Sequence, residues 1–300
     1  MFNRVLIIPN PGSGKGKAVQ YAEQLRNLLI ETHQSEVEVR PTEQVGDAET
    51  WAAKASHEGF DLVICLGGDG TVRETVNGLL KNDKIPYFGF VPLGTVNDLG
   101  RALGYDMNPE KAVEQYRNTK VVPLDIGEIN NETHFINVIA IGALPESVMH
   151  TASEDKNKLG VFAYFRDGIK AYFKQERYNL VIETGSGQTY ELDTNLLLLS
   201  MTNSIGGYEA MMPHAKYDDG LIHLLSPKTS LAIAPIKTLF EGGVPATESA
   251  DLLVLNDSEF TITCRTKSDI ETNIDGDKGP ALPIHVKILP SALQVVVPEK

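Results

Sequence analysis

Residues 65–79 read CLGGDGTVRETVNGL. The apolar run 61–66 ends there in Gly67, Gly68, Asp69 and Gly70, and a helical pattern begins near Thr71. A strand that passes through glycines into a helix marks the junction of a βα unit. Glycine lets backbone N–H groups approach a ligand closely, and a helix start favours anions. A carboxylate beside phosphate oxygens is repelled unless Mg²⁺ or water lies between them. The competing reading makes Asp69 a helix cap and nothing more.

Working outward, the spacing predicts strands over 4–8, 36–40, 61–66 and 87–91. Helices are expected over 17–32, 47–57, 71–80 and 109–118, with a short one ending near Gly104. Alternating strand and helix imply an α/β domain with a Rossmann-like parallel sheet, here residues 1–124. The loops beyond the carboxyl ends of such strands are where open α/β sheets bind ligands. After Pro123 the pattern changes. LDIGEI, HFINVIAIG, YNLVIET, YELDTNLLLLSM, LIHLLS, DLLVLN and EFTITC are strand-like and separated by turns, with a hairpin around 185–187. Residues 125–288 are therefore expected to form a mostly-β, sandwich-like domain, interrupted by helical stretches at 161–173 and 232–240. The ending ALQVVVPE, within 289–300, is read as a strand that could return to the first domain.

Composition narrows the function. The chain has 300 residues, 40 acidic against 27 basic, and a net charge of −13. That balance argues against a nucleic-acid binder. Cys65 and Cys264 make no disulfide framework and no CxxC pattern, which fits a reducing cytosol. No signal peptide or membrane span is read, so any membrane contact would be peripheral.

Two further loops follow strands. NPGSGKGK, residues 10–17, is not a Walker A loop: counting back from Gly14-Lys15 or Gly16-Lys17, the first glycine position falls on proline. Nor is it GxGxxG, because Val19 holds the last glycine position. It reads equally as a turn or a phosphate loop. PLGTVNDLGRALG, residues 92–104, offers Gly94 and Thr95, while Asn97 and Asp98 are also ordinary cap residues.

Taken in order and spacing, NPGSGKG, GGDGTVRETVNGL and PLGTVNDLGRALG resemble the diacylglycerol kinase catalytic-domain family of lipid kinases, and its bacterial branch in particular. VPLDIGEIN, AKYDDGLIHLL and NIDGDKGPALP extend the likeness over essentially the whole chain. GGDGT by itself is shared with NAD kinases and phosphofructokinases, whose nucleotide domains have the same α/β class. The resemblance implies ATP contacts at Asn10, Pro11, Gly12, Ser13, Gly14, Thr42, Gly68, Asp69, Gly70, Thr71, Val72, Arg73, Glu74 and Thr95. It implies catalytic Mg²⁺ held largely through water by Asp69, Asp98 and Asp125. A second, structural Mg²⁺ would use the carbonyls of Lys216 and Leu221 and the carboxylate of Asp219. It implies ATP as phosphoryl donor and a membrane lipid as acceptor, most simply diacylglycerol, in a cytoplasmic protein that could sit at the inner face of a membrane. A homodimer is left open.

Two departures stand out. Arg73 replaces the Asn or small polar residue usual in the family. Relatives commonly read Asp-Gly-Glu where this chain reads Asp275-Gly276-Asp277, so the proton acceptor is Asp277 or Asp275. Without the family, this segment reads as a type I′-like turn. Lys170, Lys174 and Arg177, interleaved with aromatics, form either a membrane-facing patch or the wet side of a core helix. The alternatives for activity are a kinase of another lipid (phosphatidylglycerol or a sphingoid base), an NAD kinase-like enzyme, or an inactive lipid- or nucleotide-binding protein.

Overall fold

The computed structural model describes residues 2–142, 177–207, 212–228, 251–267 and 269–299. The expected helices at 161–173 and 232–240, with Lys170 and Lys174, lie outside the described residues. The chain divides into two compact units, Met1–Asp125 with Pro290–Lys300, and Ile126–Leu289.

The first unit is α/β. Strands β1 (Arg4–Pro9), β2 (Glu36–Val39), β3 (Leu62–Gly67) and β4 (Tyr87–Pro92) lie in the order β2-β1-β3-β4, and every pairing is parallel. Val5–Ile8 and Leu62–Leu66 are wholly buried, because a parallel sheet covered on both faces needs near-continuous apolar strands. Helices α1 (Ala18–His33), α2 (Asp47–Ala52), α3 (Asp69–Leu79), α4 (Asp98–Leu103) and α5 (Pro109–Glu114) complete it. The buried residues of α1 are Ala18, Tyr21, Ala22, Leu25, Leu28 and Leu29, which share one face at helical spacing. Helix α2 is shorter than expected, and 3₁₀ turns at Gly14–Gly16 and Gln115–Arg117 flank α1 and extend α5. Gly78 lets α3 approach α2: a Cβ there would stand 2.3 Å from the Glu49 carbonyl oxygen.

The second unit is a β-sandwich. Strand β5 (Thr119–Ile129) leads into it and pairs with β6 (Thr133–Phe135). One sheet has the order β12-β11-β10-β7-β14-β15, formed by β7 (Val138–Ile141), β10 (Leu197–Ser200), β11 (Ile222–Pro227), β12 (Leu252–Asp257), β14 (Glu271–Ile274) and β15 (Asp277–Ala281). The opposing layer holds β8 (Tyr178–Thr184), β9 (Thr189–Thr194), β13 (Glu259–Cys264) and the first half of β16 (Ile284–Pro298), all antiparallel. Ile139, Ile141, Leu197, Leu199, Leu224 and Ile274 pack against Leu180, Ile182, Phe260, Ile262 and Val286 between the layers.

Two expected strands are split. YELDTNLLLLSM becomes β9 and β10, which belong to different layers; the change of layer comes at Asn195–Leu196, where Thr194 Oγ1 donates to the Leu196 carbonyl. HFINVIAIG breaks at Ile136–Asn137, whose amides donate to the Asp275 carboxylate. The second half of β16 pairs parallel with β4, through Val295 and Phe88.

Candidate functional site

Three loops leave the carboxyl ends of β1, β3 and β4 in the first unit, and their backbones are tied together. Asn10 sits at the end of β1; its N–H donates to the Leu66 carbonyl at 2.9 Å, and its side-chain amide donates to Thr71 Oγ1 at 3.2 Å. Its carbonyl and side-chain oxygen accept from Ser13 N–H and Gly12 N–H, folding the first loop into a turn. Gly14, at φ +60°, donates its N–H to the Leu93 carbonyl of the third loop. Thr42 N–H donates to the Pro9 carbonyl, which brings the segment after β2 to the end of β1.

The second and third loops touch at Gly68 and Gly94. A Cβ on Gly94 would lie 2.7 Å from the Gly68 Cα, so neither position has room for a side chain without movement. Asn97 locks the third loop from within: its side chain accepts from Gly94 N–H and donates to the Gly94 carbonyl, both at 2.8 Å. Its own N–H donates to Asp69 Oδ2 at 3.1 Å. Asp69 is therefore no simple cap. Gly68 occupies the N-cap position of α3 and Asp69 is the first helical residue, its carboxylate turned to the neighbouring loop. Helix α3 starts two residues earlier than the sequence pattern suggests.

Past these glycines, Gly70 is exposed while Thr71 and Val72 are buried. The first turn of α3 holds backbone N–H groups that have no intrahelical acceptor, a natural seat for anionic oxygens. Glu74 Oε2 accepts from Gly46 N–H and so braces the segment just after Thr42. Arg73 is half-buried on α3, and Thr95 and Pro11 are exposed. Asp98 is buried at the start of α4, and Asp125 is buried with Oδ1 accepting from Ser291 N–H at 2.7 Å.

In the second unit, the carboxylate of Asp219 gathers its own turn. Lys216 N–H donates to Oδ2 at 2.9 Å and Leu221 N–H to Oδ1 at 3.0 Å, and His223 Nε2 lies 3.0 Å from Oδ2. Burial pushes this carboxyl up, but those hydrogen bonds outweigh it and hold it below the usual carboxylate range. The other nitrogen of the His223 ring, Nδ1, lies 2.9 Å from Asn256 Oδ1. His223 as the partner of Asp219, and Asn256 as the partner of His223, were not legible in the sequence, since Asn256 comes from another strand.

Asp275 and Gly276 form the two-residue turn of the β14–β15 hairpin, with φ of +50° and +96° as a type I′ turn requires. Asp275 is half-buried and Asp277, at the head of β15, is exposed. Among the described residues, no three or more His, Cys, Asp or Glu side chains gather closely enough to hold a metal ion by themselves. The hard carboxylate oxygens of Asp69, Asp98 and Asp125 suit Mg²⁺ held through water and phosphate rather than in an all-protein cage.

Glycine-rich loops beyond the carboxyl ends of a parallel sheet, in a chain that continues into a β-sandwich, form an arrangement suited to anionic ligands. The Diacylglycerol kinase catalytic domain family matches residues 4–129, and the YegS C-terminal NAD kinase beta sandwich-like domain matches 147–297. A Diacylglycerol kinase of Staphylococcus aureus (strain bovine RF122 / ET3-1) is 34% identical over 302 residues, covering 99% of this chain and 93% of the relative. A protein solved from Bacillus anthracis str. Sterne superposes with a TM-score of 0.82 at 25% identity, covering 99% of this chain and 98% of its own. An NAD kinase from Archaeoglobus fulgidus, solved in complex with ATP, shares the fold alone (TM-score 0.50, 13% identity, 99% and 93% coverage). The chain belongs to the diacylglycerol kinase catalytic-domain family of lipid kinases.

Proposed function

We propose that this protein transfers the γ-phosphoryl group of ATP to the hydroxyl of a membrane lipid, with diacylglycerol as acceptor and phosphatidic acid as product. The observation that carries this reading is the junction of three loops, in which Asn10 reaches Thr71, Gly14 reaches Leu93, and Asn97 reaches Asp69. Phosphoryl transfer asks little covalent chemistry of a protein; positioning and charge stabilisation supply nearly all the catalysis. Backbone N–H groups of the glycine loops and of the first turn of α3 orient the phosphates. Asp69, Asp98 and Asp125 would hold Mg²⁺ through water. When bound with ATP, that ion neutralises charge on the β- and γ-phosphates. A carboxylate of the Asp275–Asp277 segment takes the proton of the lipid hydroxyl.

The acceptor is named from the relatives called diacylglycerol kinase. The test is transfer from γ-labelled ATP to a panel of diacylglycerol, phosphatidylglycerol and a sphingoid base in mixed micelles, with NAD as a soluble control. Diacylglycerol is expected to be labelled. Labelling of NAD alone would sink the lipid reading in favour of the enzyme whose fold this chain shares.

A further inference from the structure

The Asp275-Gly276-Asp277 segment carries two carboxylates in unlike surroundings. Asp275 Oδ2 accepts from Ile136 N–H at 2.8 Å, and Oδ1 accepts from Asn137 N–H and Val138 N–H, both at 2.9 Å. Three consecutive amides thus converge on one side chain, a backbone concavity that suits an anion. Ile136 and Asn137 lie in the break between β6 and β7, and Val138 is the first residue of β7. The main chain closes the clasp from the other side: Asp275 N–H donates to the Val138 carbonyl at 2.9 Å, and Gly276 N–H donates to Asn273 Oδ1 at 3.0 Å.

We propose that Asp275 is a positioning residue, which pins the hairpin turn to the start of β7 so that Asp277 is presented as the proton acceptor. This rests on the lipid-kinase reading above. A base needs an oxygen that can bond an incoming hydroxyl proton. Three amides take up three of the roughly four lone-pair sites of the Asp275 carboxylate, so its acceptor capacity is largely committed to the clasp. Asp277 lies one residue beyond Gly276 and is exposed. In the reaction the lipid O–H bond breaks and its proton passes to an Asp277 oxygen. The lipid oxygen bonds the γ-phosphorus, and the bond from that phosphorus to the bridging oxygen breaks, its electron pair leaving with ADP. The position of Asp277 is set by the turn before it, and the turn is set by Asp275. The αL backbone of Asp275, at φ +50°, is one that Asp and Asn tolerate, so Asp275→Asn keeps the turn and removes one acceptor oxygen.

The test measures turnover of diacylglycerol with γ-labelled ATP against pH, for wild type, Asp275→Asn, Asp277→Asn and Asp277→Glu, with amide exchange followed at Ile136–Val138. Asp277→Asn is expected to lower kcat by about 100-fold or more and to abolish the acidic limb of the profile. Asp277→Glu should restore that limb. Asp275→Asn should lower kcat by about tenfold to a hundredfold while keeping the limb and the KM for ATP. It should also speed exchange at the three amides, which Asp277→Asn should leave alone. Loss of the limb in Asp275→Asn with its retention in Asp277→Asn would reverse the roles. Unchanged kcat and exchange in Asp275→Asn would show that no brace exists. A wild type that labels no lipid overturns the kinase reading itself, and this inference with it.

Discussion

Gly94 and Gly68 meet backbone to backbone, and the consequence is specific. Replacing Gly94 by Ala places a methyl 2.7 Å from the Gly68 Cα and from Asn97 Oδ1, so the second and third loops must part. A displacement of that kind costs about 1–3 kcal/mol, or roughly a five- to hundredfold loss of ATP affinity if it falls on the nucleotide seat. Calorimetric titration with ATP checks this, and an unchanged affinity would detach Gly94 from the site. The cysteines make a second case. Burial pushes the Cys65 thiol up to about 12, only partly offset by a hydrogen bond with Thr75. For Cys264 burial also acts upward, but hydrogen bonds with Thr266 and with neighbouring backbone prevail and hold it below the usual thiol value. Native labelling with a thiol reagent should therefore modify Cys264 and spare Cys65. The raised Cys65 also stabilises the fold fully below the unfolded thiol value of about 8.5, and that contribution is lost as pH rises toward the folded value. At this scale the glycine chemistry was readable from the residues alone. The choice between cap and bridge for Asp69 was not, because Asn97 lies 28 positions away.

Among the elements, β10 explains why a short run can be LLLL. Leu197 and Leu199 face the core between the two layers, while Leu196 and Leu198 lie in a second buried cluster with Ile205, Met212 and Leu225. Both faces are dry, so the usual alternation disappears. Leu197→Ala and Leu198→Ala should each cost about 2–5 kcal/mol in urea unfolding, although their side chains point to opposite faces. A loss from only one of the two would mean that the other face is wet. The turn around Asp219 belongs to the same unit: Asp219→Ala strips acceptors from Lys216 N–H, Leu221 N–H and His223, at about 1–3 kcal/mol. A thermal midpoint equal to wild type would contradict that. Period and turn chemistry made these strands legible. Their breaks were not, since the break in HFINVIAIG depends on Asp275, 137 to 139 positions further on.

For the whole molecule, the alternation of strand and helix and then the run of strands were enough to read an α/β unit followed by a β-sandwich, and the structure has both. The family followed from three motifs in series, and a relative 34% identical over 99% of the chain shows it. The acceptor was beyond the reach of pattern: a lipid hydroxyl leaves no periodic mark, and relatives of one fold act on different substrates. No helix among the described residues is long and apolar enough to cross a membrane. Phosphoryl transfer itself is read by following γ-labelled ATP with diacylglycerol in mixed micelles, comparing wild type with Asp277→Asn. Labelled phosphatidic acid from the wild type, with the variant down by about 100-fold or more, is the expected result. Equal labelling by both proteins, or none by the wild type, would contradict it.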